Sequence, residues 1–302
     1  MYGCTELCTS LMRPPVRAFE MVRTIAALLQ ISTLALHVLV ARGTYESGNV
    51  YSSNPEDANV IRDDWKSNFK RPEGVEGSQV YSDLYNHLYD SGKYHGAGPG
   101  GAPALGSHAQ NIVHYLRNMS LVRSVFDVGC SHGRGVQMLW QSGKVAAGVD
   151  IARLGVQHAI EWRCKAPVVC DSNRCGPAPS CFQVGSALQI PTANKSYDAL
   201  ISTDVLEHIF MDDVPIVLGE FTRVARRIIV VKVASMVELS ARTASLLKTK
   251  RTHGVQNLHV TSQKLDWWQK EFEKLGWTLK DELRKLNYRG FYSGFEASFM
   301  PM

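Results

Sequence analysis

The sequence predicts an α/β fold, a parallel sheet with helices on both faces, occupying residues 80–302. Three observations lead there. Short apolar runs alternate with helical stretches from Ser124 onward, one run ends in the glycine-rich turn FDVGCSHGRG, and the next ends on the carboxylate Asp150 in VAAGVDI. Apolar strands separated by helices mark a parallel sheet, because the crossover helices must cover both of its faces. With 302 residues, 45% hydrophobic and 20% charged, the chain holds enough apolar material for a sizeable core, which excludes a disordered chain or a scaffold held by disulfides alone.

The first 80 residues read differently. Residues 1–23 carry Arg13, Arg17 and Arg23, and from Thr24 to Ala41 runs the uncharged stretch TIAALLQISTLALHVLVA. As a helix it would extend about 27 Å, close to the apolar thickness of a thin bilayer, so we expect a transmembrane or signal-anchor helix at 24–41. Gln30, Ser32, Thr33 and His37 weigh against lipid, and a cleaved signal peptide, an organellar presequence or an amphipathic soluble helix are the alternatives. The preceding arginines keep residues 1–23 cytosolic and send the rest of the chain into a lumen, that of the ER or Golgi. Residues 42–79 are polar, as expected of a stem.

Cysteine placement bears on the same compartment. Cys164, Cys170, Cys175 and Cys181 crowd an insertion, 164–181, that also holds Pro167, Gly176, Pro177 and Pro179. One or two disulfides in an oxidising lumen are the first reading; free thiols or a metal site are the others. Asn118-Met-Ser and Asn194-Lys-Ser are glycosylation sequons compatible with a lumen. The net charge of +5 is spread along the chain, and Lys248, Lys250 and Arg251 form a short basic cluster that reads as a solvated loop or as a contact for an anionic substrate. No nucleic-acid-binding module is recognisable, and DNA and RNA are not expected as partners.

Along the catalytic part, Tyr81, Leu84, Tyr85 and Leu88 stand at helical spacing, HGAGPGGAPALG interrupts, and a second helix runs around Ala109 to Leu116. SVFDVGC, VAAGVDI, CFQVG, YDALIST and RIIVVKVA read as strands; GVQMLWQSG, ARLGVQHAIEW and the segment near Asp212 to Ala225 as helices. LDWWQKEFEKLGW reads as an amphipathic helix, and WTLKDELRK and GFYSGFEASFM as two final strands joined by Asn287 to Gly290. Trp267 and Trp268 are either core or a stacking platform for an acceptor.

The chemistry gathers at strand ends. Gly129, Gly133 and Gly135 let backbone approach a ligand, and the helix that follows offers N–H donors. Their spacing, Gly-x3-Gly-x-Gly, also occurs in short-chain dehydrogenases, but the Tyr-x3-Lys pair of that family should follow the glycines, and here Tyr89 and Lys93 precede them. A nicotinamide oxidoreductase is therefore the lesser alternative. Asp150 is placed to accept both hydroxyls of a ribose.

The succession DVGCSHG, GVDIA, GSALQIP and SYDALISTDVLEHI resembles the ordered motifs of class I S-adenosylmethionine-dependent methyltransferases of the broad type 11 family. That resemblance covers most of 124–210. It implies a Rossmann-like seven-stranded sheet with an antiparallel last strand, S-adenosylmethionine as cofactor, and a set of cofactor contacts. Asp127 and Gly129 would serve the methionine end, with Ser131 and Gly133 in the loop; Asp150 and Ile151 the ribose; Ser186 and Ala187 the adenine edge; and Asp204 would sit beside the sulfonium. Ser131 stands where the family has a middle glycine, and Ser186 where many members carry an aspartate.

The sulfonium methyl is already electrophilic, so the protein must align an acceptor and, for an oxygen acceptor, remove a proton. His208, His253 and His259 are candidate bases. Asp204-x2-Glu207-His208 on a helical turn would bring Asp204, Glu207 and His208 together, and with His253 or His259 the group could hold a divalent metal. Glu207, His208 and His259 are the catalytic set we expect; a purely structural His208 is the alternative. Tyr85, Tyr89, Tyr94 and His95 lie where such enzymes build a lid over the acceptor. The expected activity is O-methylation of a small molecule or glycan, with a quinone or lipid acceptor if residues 24–41 are an organellar signal, and a catalytically silent cofactor-binding scaffold as the rival.

Overall fold

The structure, a computed structural model, describes residues 71–72, 74–92, 103–163, 181–237, 241–288 and 291–302. The stretch 24–41, most of the polar stem, Tyr94, His95, and Cys164, Cys170 and Cys175 lie outside the described residues. Among the described residues, no helix is long and apolar enough to cross a membrane.

The strands are β1 (Ser124–Val128), β2 (Val145–Asp150), β3 (Phe182–Val184), β4 (Tyr197–Thr203), β5 (Ala225–Ala234), β6 (Trp277–Tyr288) and β7 (Phe291–Pro301). They form one sheet in the order β3-β2-β1-β4-β5-β7-β6. Neighbours from β3 through β5 are parallel, and β7 runs antiparallel to β5 and to β6. The expected seven-stranded arrangement with an antiparallel last strand is therefore present.

Alternation sorts the strand residues onto two faces. Phe126, Val128, Leu200, Ile229, Val231, Phe295 and Phe299 pack on one side, against helices α1 (Gly77–Asp90), α5 (Val214–Val224) and α7 (Leu265–Glu273). Val125, Ala199, Ile201, Ile228 and Val230 pack on the other, against α2 (Pro103–Arg117), α3 (Arg134–Gln141) and α4 (Arg153–Arg163). A short α6 (Ala241–Leu246) follows β5.

Helix ends follow local chemistry. Ser142 Oγ donates to the Leu139 carbonyl at 2.7 Å, and Gly143, with φ 80°, supplies the left-handed residue that closes α3. Pro215 stands in the first turn of α5, where its missing N–H costs nothing. The amphipathic segment expected to stay helical to Trp277 stops at Glu273, because Gly276 turns left-handed at φ 77° and releases Trp277 into β6. Trp268 is core; Trp267 is partly buried at its edge.

The amino ends of the strands are fastened by buried polar groups. Asp198 accepts the backbone N–H groups of Arg123 and Ser124 at 3.0 and 3.1 Å, and Lys144 Nζ donates to the carbonyls of Met119 and Val122. The carboxyl ends carry a different set, described below.

Phe272 on α7 stacks on Phe299 of β7 with ring centroids 4.0 Å apart, and both are fully buried. Phe272→Ala should cost about 3–5 kcal/mol in urea unfolding, the range for a truncated core phenylalanine. A loss under about 1 kcal/mol would mean that α7 does not bind the hairpin to the sheet in this way.

Candidate active site

Strand order reverses between β1 and β4, so the connections leaving them diverge to opposite faces and open a crevice at their carboxyl ends. The loop after β1 begins at Gly129, whose φ is 80°. A Cβ there would come within 2.2 Å of Val205 Cγ2 in the loop after β4, so only glycine lets the two loops meet.

Asp127, on β1, is buried, and its Oδ1 has no hydrogen-bond partner among the described residues. Its Oδ2 lies where a Cβ on Gly135 would approach to 2.7 Å, so the glycine in the first turn of α3 makes room for the carboxylate. Burial, and then the neighbouring Asp150 charge, push the Asp127 carboxyl up to about 7.

Asp150, at the end of β2, grips the glycine loop. Its Oδ2 accepts the Ser131 N–H and its Oδ1 the Ala152 N–H, both at 2.8 Å. Burial raises its carboxyl, and those N–H bonds oppose the rise. Ser131 is left-handed, at φ 48°, in keeping with the glycine that the family places there, and its Oγ shares a hydrogen bond of 2.6 Å with Tyr89 OH from α1. Gly133, left-handed at φ 71°, caps the start of α3, and Ile151 is half-buried beside Asp150. After β3, the Gly185 N–H donates to the Asp150 carbonyl at 2.9 Å, and Ser186 Oγ accepts the Leu188 N–H in a tight turn that also holds Ala187. The expected cofactor residues from Asp127 to Ala187 thus line one edge of the sheet.

Beyond β4 the arrangement departs from expectation. Asp204 is not on a helical turn; it is left-handed at φ 55°, and both its oxygens accept from Lys232 Nζ of β5 at 2.5 and 2.7 Å. The turn that does form is a single 3₁₀ turn, Leu206–His208. Lys232 is not among the residues expected at the site, although a lysine inside the apolar run RIIVVKVA is a signal, since such a charge stays buried only when paired. Glu296, buried on β7 in register with Lys232, carries the same signal and is likewise absent from the expected set.

Glu207, His208 and His259 come together, each offering one ligand atom, and these atoms all lie within 4.8 Å of one another. Glu207 is fully buried; its Oε1 accepts the Ala234 N–H at 3.0 Å, and its Oε2 has no hydrogen-bond partner among the described residues. Burial, then the Asp204 charge, push the Glu207 carboxyl up to about 8. His208 Nδ1 is 2.9 Å from the Leu258 carbonyl and His259 Nδ1 2.6 Å from the Met236 carbonyl. A carbonyl only accepts, so each Nδ1 carries the proton, and in the neutral rings Nε2 bears the lone pair. His253 is elsewhere: its Nε2 pairs with Asp83 of α1 at 2.8 Å. Tyr85 stands edge-on to His208, with centroids 5.9 Å apart.

The methyltransferase-domain family profile matches residues 126–228, from β1 into β5. Over these residues the chain carries a methyltransferase domain of the S-adenosylmethionine-dependent class I type. Solved methyltransferases share its fold. Magnesium protoporphyrin IX methyltransferase from Synechocystis PCC 6803, with bound S-adenosylmethionine, is 18% identical and superposes with a TM-score of 0.53 over 77% of this chain and 100% of its own. A 1,6-didemethyltoxoflavin-N1-methyltransferase from Burkholderia thailandensis is 12% identical, with a TM-score of 0.53 over 77% of this chain and 94% of its own. A protein from Pyrococcus horikoshii OT3 is 16% identical, with a TM-score of 0.50 over 67% and 92%. At these identities the likeness is one of fold. Among curated proteins none matches the chain.

The two raised carboxyls give the methyltransferase a pH signature. Unfolded, Asp127 releases its proton near 3.8 and Glu207 near 4.5; folded, they hold it to about 7 and about 8. The folded protein therefore binds more protons across that window, so the stability linked to these groups is complete below the unfolded values and is lost as pH rises through the folded ones. The cofactor-free protein's melting temperature should fall between about pH 5 and about pH 8, and Asp127→Asn should remove the part of the fall that ends near pH 7. A melting temperature that rises over this range in both proteins would contradict the assignment.

Proposed function

We propose that the enzyme transfers the methyl group of S-adenosylmethionine to a hydroxyl of a small molecule or glycan. The observation that carries this reading is the placement, at one edge of the sheet, of two different groups. Asp127 and Asp150 suit a cationic nucleoside cofactor, and the cluster of Glu207, His208 and His259 suits activation of a hydroxyl.

The fit of the cofactor rests on Asp127 and Asp150. The buried Asp127 Oδ1 is short of a donor, and an ammonium group would supply one. Each Asp150 oxygen accepts one backbone N–H and keeps capacity for a ribose hydroxyl. Ile151, Ser186 and Ala187 would flank the base, and Gly129, Ser131 and Gly133 the amino-acid end; Asp204, paired with Lys232, would lie beside the sulfonium. The cofactor supplies an electrophilic methyl carbon and leaves as a neutral thioether. The protein's share is to align the acceptor oxygen with that carbon and lower its hold on its proton, which an amine acceptor needs less.

The test is calorimetric binding of S-adenosylhomocysteine to wild type and Asp150→Asn. We expect the substitution to weaken binding about 10–100-fold, the worth of hydrogen bonds to a charged group. Equal affinities would remove Asp150 from the cofactor site. Transfer of labelled methyl to an acceptor pool then decides the acceptor: product stable to mild base and lacking N-methyl groups supports the hydroxyl reading, and N-methyl product alone sinks it.

We further propose that residues 24–41 tether the enzyme to a membrane with the catalytic domain in a lumen. The sequon residues Asn118 and Asn194 are both exposed, as acceptors of glycan must be. A full-length protein made in cells with a secretory pathway should lose mass on endoglycosidase treatment. No mass change, together with protease sensitivity of the domain in sealed vesicles, would place it on the cytosolic side.

A further inference from the structure

We propose that Glu207, His208 and His259 form a divalent metal site with two imidazole ligands and one carboxylate, and that the bound ion takes the acceptor oxygen. This rests on the reading of the cluster as hydroxyl-activating and supplies the means of activation.

Geometry argues for it first. Ligand atoms about 2.1 Å from one ion stand at most about 4.2 Å apart, so a spread within 4.8 Å closes with shifts of under about 1 Å. The second observation is Glu207 Oε2, an oxygen of a fully buried side chain with no hydrogen-bond donor among the described residues. A buried carboxylate oxygen without a donor is costly, and a cation answers that cost.

The supports around the three residues are those of a built site. Each ligand's other polar atom is already committed to backbone: Glu207 Oε1 to the Ala234 N–H, His208 Nδ1 to the Leu258 carbonyl, and His259 Nδ1 to the Met236 carbonyl. Such bonds orient a ligand and fix the tautomer in which Nε2 has its lone pair. The irregular segment that brings His259 in is itself pinned, the Thr261 N–H to the Glu207 carbonyl at 2.9 Å and the His259 N–H to Asn257 Oδ1 at 2.9 Å.

The donor set selects the kind of ion. Two imidazoles with one carboxylate suit zinc, cobalt, manganese or iron, whereas calcium and magnesium favour all-oxygen shells. Three protein ligands leave a coordination position for the acceptor. A hydroxyl bound there loses its proton to water. Its oxygen then attacks the methyl carbon, the C–O bond forms as the C–S bond breaks, and the sulfonium becomes a neutral thioether.

The experiment titrates Co²⁺ into the chelator-treated full chain, followed by visible absorption and calorimetry, with S-adenosylhomocysteine binding measured on the same samples. We expect binding at the cluster that weakens about 100-fold or more in Glu207→Gln and in His259→Ala, and that survives in His253→Ala. Glu207→Gln keeps the acceptor for the Ala234 N–H, and retained S-adenosylhomocysteine binding certifies each variant as folded. Absence of Co²⁺ binding by wild type that binds S-adenosylhomocysteine, or binding indifferent to both substitutions, would overturn the site. Methyl transfer equally fast in chelated and Co²⁺-loaded enzyme would overturn the ion's part in activation. Co²⁺ held through these residues by an enzyme that methylates only nitrogen would sustain the site and sink the hydroxyl reading instead.

Discussion

Val205 occupies the space that a side chain on residue 129 would need, and the crevice depends on that contact. The loops after β1 and β4 leave the sheet toward opposite faces, and a missing Cβ is what allows them to touch where they part. With Gly129 bare, the DVLEH segment comes down onto the glycine loop. The 3₁₀ turn that follows then carries Glu207 and His208 toward Leu258 and His259.

Charge is distributed around that contact with a clear division of labour. At the amino ends of the strands, Lys144 is satisfied by backbone carbonyls and Asp198 by backbone N–H groups and Arg226, and both serve the fold. At the carboxyl ends, Asp127 and Glu207 each keep an oxygen without a donor among the described residues. Lys232 neutralises Asp204, so the crevice holds one closed ion pair and two open carboxyls. A buried carboxyl left open is a poor way to stabilise a fold and a good way to receive a cation.

Much of this is legible in the amino-acid sequence alone. Strand ends are local events: an apolar run, then a glycine turn or a lone carboxylate, and YDALIST and VAAGVDI fall where the chain puts them. The placement of Asp127, Asp150 and Ser186 along one edge follows from strand order, which the motif succession implies. What is not legible depends on pairing across strands and loops. Asp204 leaves the expected helical turn because Lys232, on the neighbouring strand, holds both its oxygens. Nothing local distinguishes His253 from His259; the first is drawn to Asp83 on α1, and the second is carried back by a segment bonded to Glu207 and Met236. Helix α7 ends early because the left-handed Gly276 converts the chain to strand one residue before Trp277.

The open carboxylates tie the enzyme's persistence to its supply of ligand. Two buried carboxyls that are short of donors leave the empty site least stable between turnovers, and whatever binds against Asp127 or Glu207 draws the folding equilibrium toward the native state by mass action. In a compartment poor in methyl donor the empty form predominates, and quality control removes the less stable form first. Abundance of the enzyme would then follow availability of its co-substrate with no separate regulator, the sensor being the uncompensated desolvation of two side chains.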